Sequence, residues 1–169
     1  AGRTLPLPFP GPGQSTRDRN DALDLPPVRD SSLPCAVIVD VDGTVALMGD
    51  RSPYDWHRVG EDRPNEDVCR VVRSFIRNGY DILFVSGRDG CCRDITRDWI
   101  RGAVTDDWFE LFTREAGDTR RDEVVKREIF DREIRGRYDV IAVLDDRDRV
   151  VQMWRDLGLT CLQVAEGDF

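Results

Sequence analysis

After residue 35, short apolar runs alternate with amphipathic stretches of helical length, and few folds accommodate such an alternation. The strand-like runs are Ala36–Asp40, Asp81–Ser86, Glu110–Thr113, Val140–Leu144 and Thr160–Val164. Strands separated by helices favour a parallel sheet whose crossover connections are right-handed. We therefore predict an α/β fold: a Rossmann-like, mostly parallel sheet with helices on both faces.

Apolar residues between these runs recur at the spacing of one helix face. One such stripe comprises Val68, Val71, Val72, Phe75 and Ile76, and another comprises Val150, Met153, Trp154 and Leu157. A further helix is predicted from about Arg121 to Arg135. Gly79, Gly136 and Gly158 stand where these helices should end.

The first 34 residues differ from the rest, because they hold seven of the nine prolines and show no apolar period. We predict a proline-rich tail or linker over residues 1–34 and one domain over residues 35–169. No apolar run approaches the roughly 18 residues of a membrane span, so no membrane contact is expected. The five cysteines show no zinc-site spacing, which favours a reducing, cytoplasmic location.

The charge of the chain limits its partners. A net charge of −8 argues against a broad, nonspecific nucleic-acid surface but permits a small anion pocket. Among 25 basic residues only Lys126 is a lysine, so this position needs an explanation.

Carboxylates follow two of the predicted strands. Asp40 and Asp42 come at the end of the first strand, and Asp145 and Asp146 follow the strand Val140–Leu144. Ligands of parallel sheets bind beyond the carboxyl ends of the strands, where we expect all four carboxylates to converge. Two such charges 4 Å apart repel by about 4 kcal/mol at an effective dielectric constant near 20. A cation is therefore expected, and oxygen ligands suit Mg²⁺.

The same edge of the sheet has the groups needed for phosphoryl chemistry. One acid of the first pair could attack phosphorus, and the other could exchange a proton with the leaving oxygen. Ser86 and the N–H groups around Gly87 could bond phosphoryl oxygens, and Gly43 would let the backbone turn beneath them. Lys126 could neutralise the transferring group, oriented by Asp122 four residues before it.

The order of an acid pair, a small hydroxyl, a lysine and a second acid pair resembles the haloacid-dehalogenase-type phosphotransferase superfamily. More narrowly, residues 36–169 resemble the 3′-phosphatase domain of phage-type polynucleotide kinase/phosphatase. The segments that carry this resemblance are "DVDGTVALMGDRSPYD", "FVSGRD", "REAGDTRRDEVVKREIF", "DDRDRVVQMWRDLG" and "QVAEGDF".

The resemblance implies a role for each catalytic residue. Asp40 would be the nucleophile that forms an aspartyl-phosphate, and Asp42 would act first as general acid and then as base. Ser86 and Lys126 would hold the phosphoryl group. The metal set would be Asp145 with Asp40 and the main-chain carbonyl of Asp42, supported by the second acid of the "DD" pair, Asp146.

The resemblance also implies a set of substrate-binding residues. Arg51, Arg88 and Arg114 stand where the family carries arginines near the substrate phosphate, and Asp122 falls on a family acid. Thr44 and Gly87 complete the predicted set.

The implied activity is Mg²⁺-dependent hydrolysis of 3′-phosphate ends of DNA or RNA, in end healing and repair. The family's best-known members also carry a kinase. This chain has no G-x-x-x-x-G-K-S/T phosphate loop, so we expect either a phosphatase alone or a piece whose kinase domain is separate or removed.

Other readings of the sequence remain open. The segments after Thr44 and after Arg88 leave room for only a small cap or none, and an open site favours a polymer end over a small substrate. A small-molecule phosphatase acting on nucleotides or sugar phosphates is the alternative within the superfamily. A receiver-like phosphoacceptor module is another, although its acids usually come in the reverse order. Tyr54, Trp56 and His57 could pack within the domain or stack on a terminal base.

Overall fold

A computed structural model of the chain describes residues 25–168. Its strands and α-helices in this range are β1 (Cys35–Val39), β2 (Ala46–Leu47), β3 (Arg63–Pro64), α1 (Glu66–Arg77), β4 (Asp81–Ser86), α2 (Arg93–Ala103), β5 (Glu110–Thr113), α3 (Asp122–Ile129), β6 (Asp139–Asp145), α4 (Asp148–Asp156) and β7 (Cys161–Gln163). Two 3₁₀ turns, Trp56–Glu61 and Gly90–Cys92, and one π-helical turn, Phe130–Ile134, join them.

The main sheet is parallel throughout, in the strand order β5-β4-β1-β6-β7. Strand β1 therefore lies at its centre, between β4 and β6. The carboxyl ends of these three strands meet at one edge of the sheet. Strands β2 and β3 form a separate antiparallel hairpin. The predicted α/β fold is confirmed, and the hairpin with its 3₁₀ turn is a small cap after β1.

The apolar core lies on both faces of the sheet. Along β1, Ala36 and Ile38 contact the cluster built with α3 and α4, whereas Val37 and Val39 contact the cluster built with α1 and α2. All four side chains are at most 1% exposed. A strand covered on both faces must be apolar at every position, which explains the uninterrupted run in the sequence.

The structure adds elements that the sequence pattern did not predict. No bounds were predicted for helix α2, because its apolar positions are sparse among charged residues. The single helix expected from Arg121 to Arg135 is instead α3 followed by the π-helical turn, which places Phe130 and Ile134 in the core. Gly136 ends it with a φ of +74°, as its position indicated.

The end of the predicted tail lies against the domain. Val28 packs on the core, Arg29 forms an ion pair with Asp139, and the Asp139 N–H donates to the carbonyl of Pro34. Asp139 is the first residue of β6, so these contacts lie at the amino ends of the strands, opposite the carboxyl ends where the acids lie. Most of the predicted tail, residues 1–24, lies outside the described residues, and its boundary with the domain stays a prediction.

The helices of the described part of the chain, residues 25–168, are all too short or too polar to cross a bilayer.

Replacing Phe130 by alanine tests the core. This ring is fully buried and meets Trp154 edge-to-face, so we expect Phe130→Ala to lower the free energy of unfolding by about 3–5 kcal/mol. Val124→Ala on the preceding helix is the control, because that side chain is 46% exposed and should cost less than about 0.5 kcal/mol. Urea unfolding measures both, and equal costs would contradict this packing.

Candidate active site

Three carboxylates meet at the carboxyl end of the sheet. Asp40 directly follows β1, Asp145 ends β6, and Asp146 comes next. Their oxygens lie within 4.8 Å of one another, and each residue is at most 5% exposed. The structure thus brings together three of the four acids that we expected to converge.

A buried ammonium group lies between two of these acids. Helix α3 carries Lys126, whose Nζ donates to Asp40 Oδ1 at 2.6 Å and to Asp145 Oδ2 at 2.9 Å. Burial lowers the pKa of Lys126, but the carboxylates of Asp145 and Asp40 outweigh that effect and raise the pKa above its usual value. The side chain therefore stays charged and supplies one positive charge to three acids.

The three acids retain an excess of negative charge. Burial raises the pKa of Asp40 well above its usual value; Lys126 opposes this, while Asp145 and Asp146 add to it. Burial and the neighbouring Asp145 also raise the pKa of Asp146. A divalent cation would relieve this repulsion, and carboxylate oxygens are the ligands that Mg²⁺ prefers. The donor set of Asp40, Asp145 and Asp146 therefore fits Mg²⁺.

Thr44 fixes the carboxylate of Asp40. Its hydroxyl donates to Asp40 Oδ2 at 3.1 Å, while Lys126 holds the other oxygen. Thr44 is fully buried. We predicted that it binds substrate, whereas its described hydrogen bond goes to the predicted nucleophile.

Gly43 lets the first acid loop pass against the second. Its φ is +80°, and a Cβ at this position would lie 2.0 Å from Asp146 Oδ2. Any side chain here would displace the carboxylate of Asp146.

The carboxylate of Asp42 lies apart from the other three, so the expectation that all four converge is wrong. Arg88 donates to its two oxygens at 2.9 and 2.8 Å, and Arg51 donates at 3.2 Å. These arginines hold the side chain outside the acid cluster, where it remains 41% exposed. Asp42 and Asp40 thus occupy different environments, although one residue separates them. Our prediction that Asp42 offers its main-chain carbonyl to a metal is unaffected.

Asp62 is a buried residue of this site that we did not predict. Its side chain, 1% exposed, accepts two bonds of 2.7 Å from Arg51 and one of 2.6 Å from Arg88. It lies just before β3 in the cap, in a segment without apolar period. No signal in the sequence distinguishes it from the acids that lie on the surface.

The predicted phosphate contacts lie at the end of β4. Ser86 is fully buried, and its hydroxyl accepts the N–H of Arg88 at 3.1 Å. Gly87 lies so close to Asp122 that an added Cβ would be 2.6 Å from its Oδ1. Arg114 donates to the carbonyl of Gly87 at 2.5 Å and pairs with Asp122.

Asp122 does not hold Lys126 in the way we expected. Its described partners are Arg114 and Arg147, and the Arg147 Nη1 donates to Asp122 Oδ2 at 2.5 Å. Lys126 donates instead to the two acids at the strand ends. Arg147 was not among the predicted site residues.

The aromatic side chains of the cap remain unassigned. Tyr54 is 81% exposed and meets the half-buried Trp56 edge-to-face, with ring centroids 6.3 Å apart. His57 is exposed. Base stacking and packing within the domain both stay predictions for these residues.

Comparisons with known proteins point to one family. Residues 34–169 match the family model described as "Polynucleotide kinase PNKP phosphatase domain". A curated relative, the "Putative bifunctional polynucleotide kinase/RNA ligase" of Autographa californica nuclear polyhedrosis virus, is 45% identical over 134 residues, or 78% of this chain. That alignment covers 19% of the viral protein, so the chain spans about a fifth of this relative.

Solved structures agree in fold. A chain from the "Structure of the Pnkp1/Rnl/Hen1 RNA repair complex" is 38% identical with a TM-score of 0.80, over 89% of this chain and 48% of that one. The class C acid phosphatase from Bacillus anthracis is 15% identical with a TM-score of 0.58, over 81% of this chain and 68% of that one. The second likeness shows the fold alone.

Substituting Gly43 tests the contact between the two acid loops. Gly79 has nearly the same φ, +81°, with nothing within 4 Å of an added Cβ, so Gly79→Ala should cost about 1–2 kcal/mol of unfolding free energy from backbone strain alone. Gly43→Ala should cost about 2 kcal/mol more, because Asp146 must also move. Denaturant unfolding of the pair measures the difference, and equal losses would show that the Asp146 carboxylate is not held against Gly43.

Substituting Asp62 tests the arginine pair. Asp62→Asn removes the charge shared by two buried guanidinium groups, and we expect a loss of about 3–5 kcal/mol in unfolding free energy. Asp50→Asn is the matched control, because that carboxylate pairs with Arg58 but is 90% exposed, so its loss should stay below about 1 kcal/mol. Thermal or urea unfolding compares them, and a cost for Asp62→Asn as small as the control's would refute the buried network.

Proposed function

Because the chain belongs to the family of polynucleotide kinase phosphatase domains, we propose that it removes the phosphate from 3′-phosphorylated ends of DNA or RNA, in end healing and repair. The observation that supports this most directly is the contrast between Asp40 and Asp42. One is buried beside an ammonium group and two acids, and the other is half-exposed between two arginines. Two acids in such different environments suit two different roles.

In the first step, a carboxylate oxygen of Asp40 attacks phosphorus and forms an aspartyl-phosphate. The bond from phosphorus to the 3′ oxygen breaks, and Asp42 gives that oxygen a proton. Thr44 and Lys126 hold the attacking carboxylate, each through one of its oxygens. The Ser86 hydroxyl, the N–H groups around Gly87 and the Lys126 ammonium would bind the phosphoryl oxygens.

In the second step, Asp42 takes a proton from water as that water attacks phosphorus. The bond between phosphorus and Asp40 breaks, which frees inorganic phosphate. Asp40 is again a carboxylate, and Asp42 again carries the proton needed for the next first step. Arg51 and Arg88 keep Asp42 in one position through both steps, because each donates to its carboxylate.

Asp40, Asp145 and Asp146 would hold Mg²⁺, together with the main-chain carbonyl of Asp42. A bound Mg²⁺ would offset the charge of these carboxylates and of the transferring phosphoryl group.

The proposed substrate is a polymer end because the described cap is small, a two-stranded hairpin with one 3₁₀ turn, and small-molecule phosphatases usually need a larger lid. The viral relative named above is described as a polynucleotide kinase/RNA ligase, and one solved relative comes from an RNA repair complex. We include in the proposal a kinase domain, separate from this chain or in a longer protein. The proposal also includes a cytoplasmic location for this chain, because its five cysteines are free thiols.

Phosphate release from a 3′-phosphorylated oligonucleotide tests the function. We expect release with Mg²⁺, none with EDTA, and a loss of at least about 1,000-fold in Asp40→Asn, which cannot form the covalent intermediate. A 5′-phosphorylated oligonucleotide and nucleoside monophosphates run alongside.

Equal or faster release from 5′ ends or free nucleotides would replace the proposal with a small-molecule phosphatase. A phosphate that remains on Asp40 without turnover would replace it with a phosphoacceptor module.

A further inference from the structure

The three carboxylates of the candidate metal site differ in how their positions are fixed. Lys126 donates to Asp40 and to Asp145, and the indole N–H of Trp154 also donates to Asp145, at 3.3 Å. Within the part of the chain that the structure describes, no hydrogen bond runs from another side chain to the carboxylate of Asp146. The direction of this third carboxylate must therefore be fixed by its main chain and its packing.

The main chain of Asp146 is held by the clamp segment, residues 163–167, which begins at the last residue of β7. The side-chain amide of Gln163 donates to the carbonyl of Asp146 at 2.9 Å and to the carboxylate of Asp148 at 2.6 Å. Asp148 is the first residue of α4. One amide group thus connects the second acid of the pair to the start of the helix that follows it.

Gly167 holds the same turn from the other end of the clamp segment. Its carbonyl accepts the N–H of Asp148 at 2.8 Å. A Cβ added to Gly167 would lie 2.2 Å from the carbonyl oxygen of Asp146, a main-chain atom that cannot rotate away. Gly167 is buried and its φ is not positive, so this close approach is what requires glycine here.

Asp146 consequently lies between two glycines. Gly43 lies against its carboxylate, where an added Cβ would be 2.0 Å from Oδ2, and Gly167 lies against its carbonyl. A shift of the clamp segment would move the Asp146 carboxylate relative to Asp40 and Asp145, which are held independently by Lys126. Residues that hold a metal ligand from behind in this way commonly change metal affinity when they are replaced.

We propose that Gln163 and Gly167 are positioning residues for the metal site, which hold the main chain of Asp146 so that its carboxylate faces Asp40 and Asp145 before Mg²⁺ binds. This inference rests on the proposed function, which includes the Mg²⁺ site. A set of ligands that is already in place loses less freedom when the ion binds, so the clamp segment raises the affinity for Mg²⁺.

The melting temperature of the free protein, followed as Mg²⁺ is added, tests the inference on Gly167→Ala. The Mg²⁺ concentration at which the melting temperature begins to rise should increase at least about tenfold, because the displaced Asp146 binds the ion less well. Gly102→Ala is the matched control, since Gly102 has no positive φ and nothing lies within 4 Å of an added Cβ. It should retain the wild-type Mg²⁺ dependence.

Gln163→Met gives a second test, which preserves the argument if Gly167→Ala folds poorly. Gln163 is exposed, so its replacement should leave the fold intact, while the loss of its bond to Asp146 should weaken Mg²⁺ binding about fivefold. Gln152→Met is the control, because it removes an exposed amide that donates to Asp156 at 2.7 Å on α4. Its Mg²⁺ dependence should not change.

Phosphate release from the 3′-phosphorylated oligonucleotide supplies a kinetic readout. In Gly167→Ala and Gln163→Met the Mg²⁺ concentration for half-maximal release should rise by the same factor as in the melting experiment. The kcat at saturating Mg²⁺ should stay within about threefold of the wild type, because excess ion restores the bound state. A residue that only supported the fold would not change the Mg²⁺ requirement.

Three results would contradict the inference. Equal Mg²⁺ dependence in each variant and its control would overturn it and leave the proposed metal site standing. A lower melting temperature in EDTA without a change in the Mg²⁺ dependence would also overturn it, because the clamp segment would then serve the fold alone. A wild-type protein whose melting temperature does not respond to Mg²⁺ would overturn both the proposed metal site and this inference.

Discussion

The site depends on the two hydrogen bonds that Lys126 donates. One buried ammonium group holds Asp40 after the central strand and Asp145 at the end of the neighbouring strand. Without it, three carboxylates would lie within 4.8 Å of one another in a region shielded from water, and their repulsion would act against folding of the sheet edge. The chain has one lysine among its 25 basic residues, and it stands at this point. A compact ammonium can reach two acids there, where a planar guanidinium group is bulkier.

The arginines around Lys126 and its acids have a different role. Arg51 and Arg88 share Asp62 and hold Asp42, while Arg114 and Arg147 share Asp122 beside Gly87. Each pair thus has one acid in common, so the guanidinium groups are oriented before any substrate arrives. Such preorganisation lowers the free energy that binding must spend on ordering side chains.

The sequence allowed prediction of those parts that depend on local pattern. The strands, the parallel sheet and the position of the acids after β1 and β6 follow from periodicity and from the topology of such sheets. The partners of individual side chains do not. Asp62 meets Arg88 across 26 positions of the sequence, through a cap whose strands are only two residues long. Arg147 could be located next to the acid pair, but only the packed structure shows that its guanidinium group reaches Asp122.

Because β1 lies at the centre of the sheet, only some parts of the site can change their conformation. Its backbone is bonded on both sides, and the N–H of Asp40 still donates to the carbonyl of Leu144 at 2.9 Å. The residue can leave its position only if the whole sheet opens, an event as rare as global unfolding. Differences between substrates must therefore be accommodated elsewhere, in the hairpin, its 3₁₀ turn and the half-exposed side chains at the rim. Under the proposed function, the reacting atoms would meet the same carboxylate geometry whichever substrate is bound.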